Sequence, residues 1–210
     1  MTTNNNKKRY DYQVTDRALG FNLPQRMGRR LWAPMFAMAI MAWPVALILS
    51  GVRAAEIASS SPDPVTVARL GQLVPAVMFV GFLAVFAAVS FAIARILGVF
   101  RKGGGEVQEA AGRSVQTLRM PATAKLFLGL MVMAMMAIAV AVVLHVVVAS
   151  AIGTWSETTV EQWSIVLEAV RRVGVAVYLV AIALGLGSII TVLRFQSGRI
   201  RQLSSEATRI

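Results

Sequence analysis

Four long apolar stretches, separated by shorter polar segments, dominate this chain. They run Leu31–Val52, Leu73–Ile96, Leu126–Ile152 and Val173–Leu193. Each holds about 20 residues or more, the length an α-helix needs to cross a hydrocarbon core about 30 Å thick. The pattern therefore predicts an all-α membrane protein, a four-span bundle of antiparallel transmembrane helices.

The polar segments divide the chain into five regions. We predict a basic N-terminal segment over residues 1–30, a first transmembrane hairpin over 31–97, a connecting loop over 98–122, a second hairpin over 123–196 and a tail over 197–210. The fourth helix is expected to run on past its apolar stretch, because Gly198 is the only breaker that follows it.

Shorter elements are predicted at the ends of these regions. Apolar residues recur at helical spacing within Glu106–Met120 and are scattered over Val14–Met27, so both segments are expected to be short amphipathic helices on the membrane surface. The run Gly103–Gly105 is interpreted as a flexible break between span two and the surface helix. Thr158 and Glu161 have the spacing of a capping box for the last helix. Pro34 is expected in the first turn of span one, where a missing N–H costs little, and Pro44 mid-span.

Charge sets the predicted orientation. Of the 21 Lys and Arg residues, 17 precede the first stretch, end or follow the second, or follow the fourth. The other four are Arg53, Arg69, Arg171 and Arg172. By the positive-inside rule, both termini and the 98–122 loop are predicted to be cytoplasmic. The Ala/Val/Arg-rich composition and the short loops resemble those of bacterial proteins, so the inner membrane of a bacterium is the expected location. The same basic segments are expected to contact anionic headgroups, and this distribution argues against nucleic acid as the partner of a chain with net charge +11.

Composition supports a membrane protein and excludes some chemistry. Residues are 57% hydrophobic and 15% charged, whereas soluble domains carry about 25% charged residues. The chain has no cysteine, which excludes disulfides, thiolate metal sites and cysteine nucleophiles. The eleven methionines are interpreted as packing residues rather than a copper path. No catalytic or nucleotide-binding motif is present, so an enzyme is not predicted.

His145 is the one candidate ligand-binding residue. It interrupts an apolar run in the outer third of span three. One interpretation is a neutral histidine that hydrogen-bonds a carbonyl or hydroxyl of a neighbouring helix or faces the headgroups. The other is a ligand for haem, a quinone or a metal, with Met78 or Tyr178 placed at similar depth. The most economical expectation is that no cofactor is bound.

Small residues predict where helices pack closely. Two small-xxx-small patterns, Ala181 with Gly185 and Ala183 with Gly187, lie on span four. Such patterns let helix backbones approach each other in lipid. The candidate packing residues are Gly81, Ala84, Ala88, Ala181, Gly185 and Gly187.

Three functional hypotheses follow. The first is a non-catalytic accessory or scaffolding subunit of a larger inner-membrane complex, with other membrane subunits as partners. It is favoured by well-formed spans that carry no Asp, Glu or Lys. The second is a membrane anchor that holds haem, a quinone or a metal at His145. The third is a small oligomeric transporter or channel whose path lies between subunits.

Overall fold

The computed structural model describes residues 10–15 and 19–207, which form four long helices and one two-stranded sheet. The helices pack antiparallel, as the hydrophobic pattern predicts. They are α1 (Leu23–Ile57), α2 (Pro64–Ala110), α3 (Ala122–Ala151) and α4 (Glu157–Ala207), and the strands are β1 (Tyr12–Thr15) and β2 (Val115–Leu118).

Each helix contains a segment long and apolar enough to cross a membrane. Many of the large apolar side chains point outward. On α1, for example, Leu47 is 73% exposed and Met41 66% exposed. Such a surface would be unfavourable in water, because exposing apolar area costs roughly 25 cal/mol per Å². In lipid it carries no such cost, so the four helices indicate a multi-pass membrane protein.

Two compact units divide the chain. One, here called the histidine unit, comprises Leu31–Val89 and Gly129–Val180. The other, the strand unit, contains the described residues before Leu31 together with Ser90–Leu128 and 181–207. The ranges show that every helix contributes residues to both units.

The predicted flexible break at Gly103–Gly105 is wrong, because α2 continues through it. The side chain of Gln196 lies over Gly104 and that of Leu19 over Gly105, where a Cβ atom would overlap them. Gln196 also donates through Nε2 to the carbonyl oxygen of Phe100, 3.3 Å away. The glycines therefore permit close approach of neighbouring segments rather than bending the chain.

The surface helix predicted over Glu106–Met120 is also wrong. Its first part continues α2, which ends in a Schellman motif: Gly112 has φ +67°, and the N–H of Arg113 donates to the Gln108 carbonyl at 3.0 Å. Its second part is β2, which pairs antiparallel with β1 from Tyr12↔Leu118 to Thr15↔Val115. In the segment Val14–Met27, Val14 and Thr15 belong to β1 and Leu23–Met27 begin α1, while residues 19–22 lie in neither element. Residues 16–18 lie outside the described residues.

Gln108 explains why the second part is a strand. Its side chain is 1% exposed. Its Oε1 accepts from the N–H of Gln116 at 2.9 Å, and its Nε2 donates to the Gln116 carbonyl at 3.1 Å. The amide thus reproduces a backbone ladder and holds β2 against the end of α2. No local sequence pattern predicts this contact.

Helices α1 and α4 begin at other residues than the sequence predicted. The cap of α4 is Ser156, whose Oγ accepts from the N–H of Thr159 at 3.3 Å, so the capping box predicted at Thr158 is wrong. Because α1 begins at Leu23, Pro34 lies inside the helix rather than in its first turn, and Pro44 is also interior. The extension of α4 past Leu193 is confirmed, since the helix runs to Ala207.

Candidate functional site

His145 lies on α3 inside the histidine unit and is 4% exposed. Its Nδ1 is 2.9 Å from Oε1 of Gln72 on α2. Its ring stacks on Phe79, also on α2, with centroids 6.4 Å apart and planes 7° from parallel. These two contacts fix both the direction and the tilt of the imidazole.

The hydrogen bond to His145 is one link of a longer chain. Gln72 donates through Nε2 to Oγ of Ser164 on α4, 2.9 Å away. Ser164 in turn donates from Oγ to the Val160 carbonyl at 2.8 Å. This series of hydrogen bonds joins three helices. It ends on a backbone carbonyl oxygen, which can only accept a hydrogen bond.

The other ring nitrogen of His145 has no such partner. Nε2 is buried, and no protein group among the described residues makes a hydrogen bond with it. Leaving a buried polar atom unsatisfied costs about 1–3 kcal/mol. A second such atom among the described residues, Nε of Arg199, lies in the strand unit.

An apolar cluster includes residues that lie one helical turn from His145 or from Ser164. Ala141 and Val148, on α3, pack with Leu167 of α4, and all three are at most 1% exposed. Partly buried side chains complete this cluster: Leu144, Val160 and Val170. This cluster supplies an apolar wall near His145.

Charged groups of α4 approach the same region. The guanidinium of Arg171 lies 4.7 Å from the centroid of Phe79 and pairs with Glu168. Glu168 also pairs with Arg172 at 2.8 Å. Because Arg171 is only partly exposed, its cation–π contact contributes roughly 0.5–2 kcal/mol.

Met78 and Tyr178, the other candidate ligands, are placed differently. Met78 is 41% exposed. Tyr178 is buried, and its hydroxyl donates to the carbonyl oxygen of Phe86 at 3.2 Å while the two rings stack. The described contacts of His145 are with Gln72 and Phe79 instead, so the structure does not join the three residues predicted at similar depth.

The predicted packing residues of the histidine unit are all buried. A Cβ at Gly81 would lie 2.8 Å from Nε1 of Trp43, so α1 and α2 approach closely there. Ala84 and Ala88, on the same helix, are buried.

In the strand unit, the two small-xxx-small patterns differ. Ala181 is fully buried, and a Cβ at Gly185 would lie 3.0 Å from Ile93 and from Phe127. Gly187 has open space around it, and Ala183 is exposed. Among the described residues, only the first pattern packs against protein.

Gln72 and Ser164 are the site residues that sequence reasoning missed. Gln72 directly precedes an apolar stretch and Ser164 lies among the residues before another, positions where polar residues are ordinary. Their 92-residue separation gives no signal that they meet. Comparison with protein-family models, with curated proteins and with solved structures finds no match to the chain.

Proposed function

We propose that this protein is a multi-pass subunit of the bacterial inner membrane that holds a small ligand against His145. The observation that carries the proposal is Nε2 of His145, a buried polar atom with no hydrogen-bond partner in the described part of the chain. An ionisable side chain within a transmembrane helix is expensive to bury and usually marks a functional site. A ligand would remove the cost of the unsatisfied atom.

Haem, a quinone-type molecule and a metal ion are the ligand classes considered. The described residues hold no group of three or more His, Cys, Asp or Glu side chains that would bind a metal ion. A metal at His145 would then draw its other ligands from elsewhere, such as a partner subunit. Haem and quinone-type molecules need only one histidine from this chain.

A second candidate is an accessory or scaffolding subunit, which the strand unit favours. Its described residues include 12 of the 21 Lys and Arg residues of the chain. Within it, α2 and α4 continue past their apolar stretches by Leu97–Ala110 and Arg194–Ala207, each about 21 Å at 1.5 Å per residue. A folded, basic extension of this kind suits docking of other membrane subunits or of anionic headgroups.

The orientation belongs to the same proposal. We place both termini and the β2 segment in the cytoplasm, because the positive-inside rule assigns the basic ends of transmembrane helices to that side. The α1–α2 and α3–α4 connections then face the periplasm.

The test is to purify the protein from its native membrane in mild detergent, with a tag that contains no histidine. Native mass spectrometry, an absorption spectrum and organic extraction would together identify bound molecules and stoichiometric partners. We expect a bound small molecule that is lost in His145→Ala and kept in the control variant Met78→Leu. Unrelated stoichiometric subunits with no bound molecule would favour the scaffold instead. A colourless homo-oligomer without any ligand would contradict both and favour a transporter.

A further inference from the structure

The hydrogen-bond chain that ends on His145 has a fixed direction. The Val160 carbonyl oxygen can only accept, so the Ser164 hydroxyl donates its single proton to this hydrogen bond. Ser164 Oγ must therefore accept from Gln72, whose Nε2 is the donor. This turns Oε1 of Gln72, a pure acceptor, toward the imidazole at 2.9 Å.

A pure acceptor at Nδ1 selects one tautomer of a neutral histidine. Nδ1 must carry the proton, so Nε2 bears a lone pair and can only accept. This is the nitrogen that has no described partner. Ser164 and Gln72 are positioning residues in this arrangement, since they determine what His145 presents without contacting its free nitrogen.

We propose that the ligand of His145 is an apolar molecule bearing a hydroxyl group, such as a hydroquinone, which donates its hydrogen bond to Nε2. This inference rests on the proposed ligand-holding function and narrows it. An apolar body matches the cluster of Ala141, Val148 and Leu167, whose members lie one helical turn from His145 or from Ser164. A quinone carbonyl oxygen and the unprotonated Nε2 are both acceptors and cannot form a hydrogen bond with each other. Binding of the oxidised form of the same molecule is therefore disfavoured. The small hydroxyl also suits a nitrogen that protein atoms cover, whereas coordination to haem would place a whole macrocycle there.

The first test reads the tautomer directly. The chain contains one histidine, so ¹⁵N-histidine labelling gives a single pair of imidazole nitrogen signals. We expect Nδ1 to be protonated and Nε2 unprotonated in the wild type. In Ser164→Ala the Gln72 amide is free to turn its NH₂ group toward Nδ1, so the other tautomer should become populated. Ser164→Thr keeps the hydroxyl and should retain the wild-type signals.

The second test uses one probe in two redox forms. Reduced and oxidised decyl-ubiquinone differ at the ring oxygens, which donate in one form and accept in the other. We expect the wild type in lipid nanodiscs, under anaerobic conditions, to bind the reduced form about tenfold more tightly, since an unmade buried hydrogen bond costs about that factor. Ser164→Ala should reduce this preference toward unity, and Ser164→Thr should not.

The outcomes separate this inference from the proposed function. A wild-type Nε2–H tautomer, or equal binding of the two forms, would overturn the hydroxyl ligand while leaving a ligand at His145 possible. Haem or a metal in the native preparation would also overturn it, yet support the proposed function. If neither form binds, the hydroxyl ligand is wrong. If His145→Ala also loses no native ligand, the proposed function fails with it.

Discussion

The glycines of this chain differ in how much space surrounds them for the methyl group of an alanine. At Gly28 of α1, a Cβ would lie 2.5 Å from the carbonyl oxygen of Phe91 and 3.1 Å from the amide nitrogen of Arg95. Both are backbone atoms of α2, which cannot move aside as a side chain can. At Gly129 of α3, nothing lies within 4 Å of the same position. The first glycine is required for helix contact, and the second is not.

We therefore expect Gly28→Ala to lower the free energy of unfolding by about 1–3 kcal/mol, the usual cost of overpacking. Gly129→Ala is the matched control and should leave stability unchanged or raise it by up to about 1 kcal/mol, because alanine favours a helix over glycine. Reversible unfolding in mixed micelles would measure both. Equal losses for the two variants would show that the backbones are not in contact at Gly28.

At the scale of an element, the start of α2 is built by its cap. Pro64 occupies the first helical position, where its missing N–H is no loss. Asp63 caps the next two N–H groups: Oδ1 accepts from Val65 at 3.1 Å and Oδ2 from Thr66 at 3.2 Å. The Thr66 hydroxyl also donates to Oδ2, and this bond, followed by the one from Val65, lowers the pKa of Asp63 below its usual 3.8.

This cap predicts a specific acid sensitivity. A lowered pKa in the folded state means that ionised Asp63 stabilises the fold above pH 3.8 and that this contribution is lost as the pH falls through the lowered value. We expect the Tm of the wild type to fall more on acidification than that of Asp63→Asn, which caps without titrating. Asp63→Ala should melt below both near neutral pH. Parallel acid curves for the wild type and Asp63→Asn would contradict the assignment.

At the scale of the whole molecule, charge and hydropathy are segregated. The histidine unit carries four basic and five acidic residues, whereas the described residues of the strand unit carry 12 basic residues. The other five basic residues of the sequence lie outside the described part of the chain. This asymmetry is the basis of the proposed orientation, with both termini in the cytoplasm.

The absence of native cysteine makes the orientation directly measurable. Ser60, in the α1–α2 connection, and Ser205, near the end of α4, are both exposed. In intact cells with a permeable outer membrane, an impermeant maleimide should label Ser60→Cys and spare Ser205→Cys. After lysis both should react, and Ser114→Cys, beside β2, should follow Ser205→Cys. The reverse pattern would place the termini outside.

Sequence alone determined the four antiparallel helices. The length of an apolar run is a local property of the sequence, and it decides whether a helix can cross the hydrocarbon core of a membrane. It also singled out His145, since one polar side chain in a long apolar run is visible without a structure. The ends of the helices were harder to predict from the sequence. Gly103–Gly105 indicated a break, yet α2 continues through this segment, with Gln196 close to Gly104 and Leu19 close to Gly105.

Only tertiary structure decided the hydrogen bonds of His145. Its Nδ1 contacts Gln72, which is 73 residues away in the sequence, and Gln72 in turn contacts Ser164, from which it is separated by 92 residues. In the same way, Gln108 of α2 and β1 together make Val115–Leu118 a strand that local periodicity assigned to a helix. Hydrogen bonds are directional and join groups regardless of their separation in the chain, whereas hydrophobic periodicity reports only on neighbours. The four helices could therefore be predicted from the sequence, whereas the hydrogen bonds of the candidate site depend on which helices pack together.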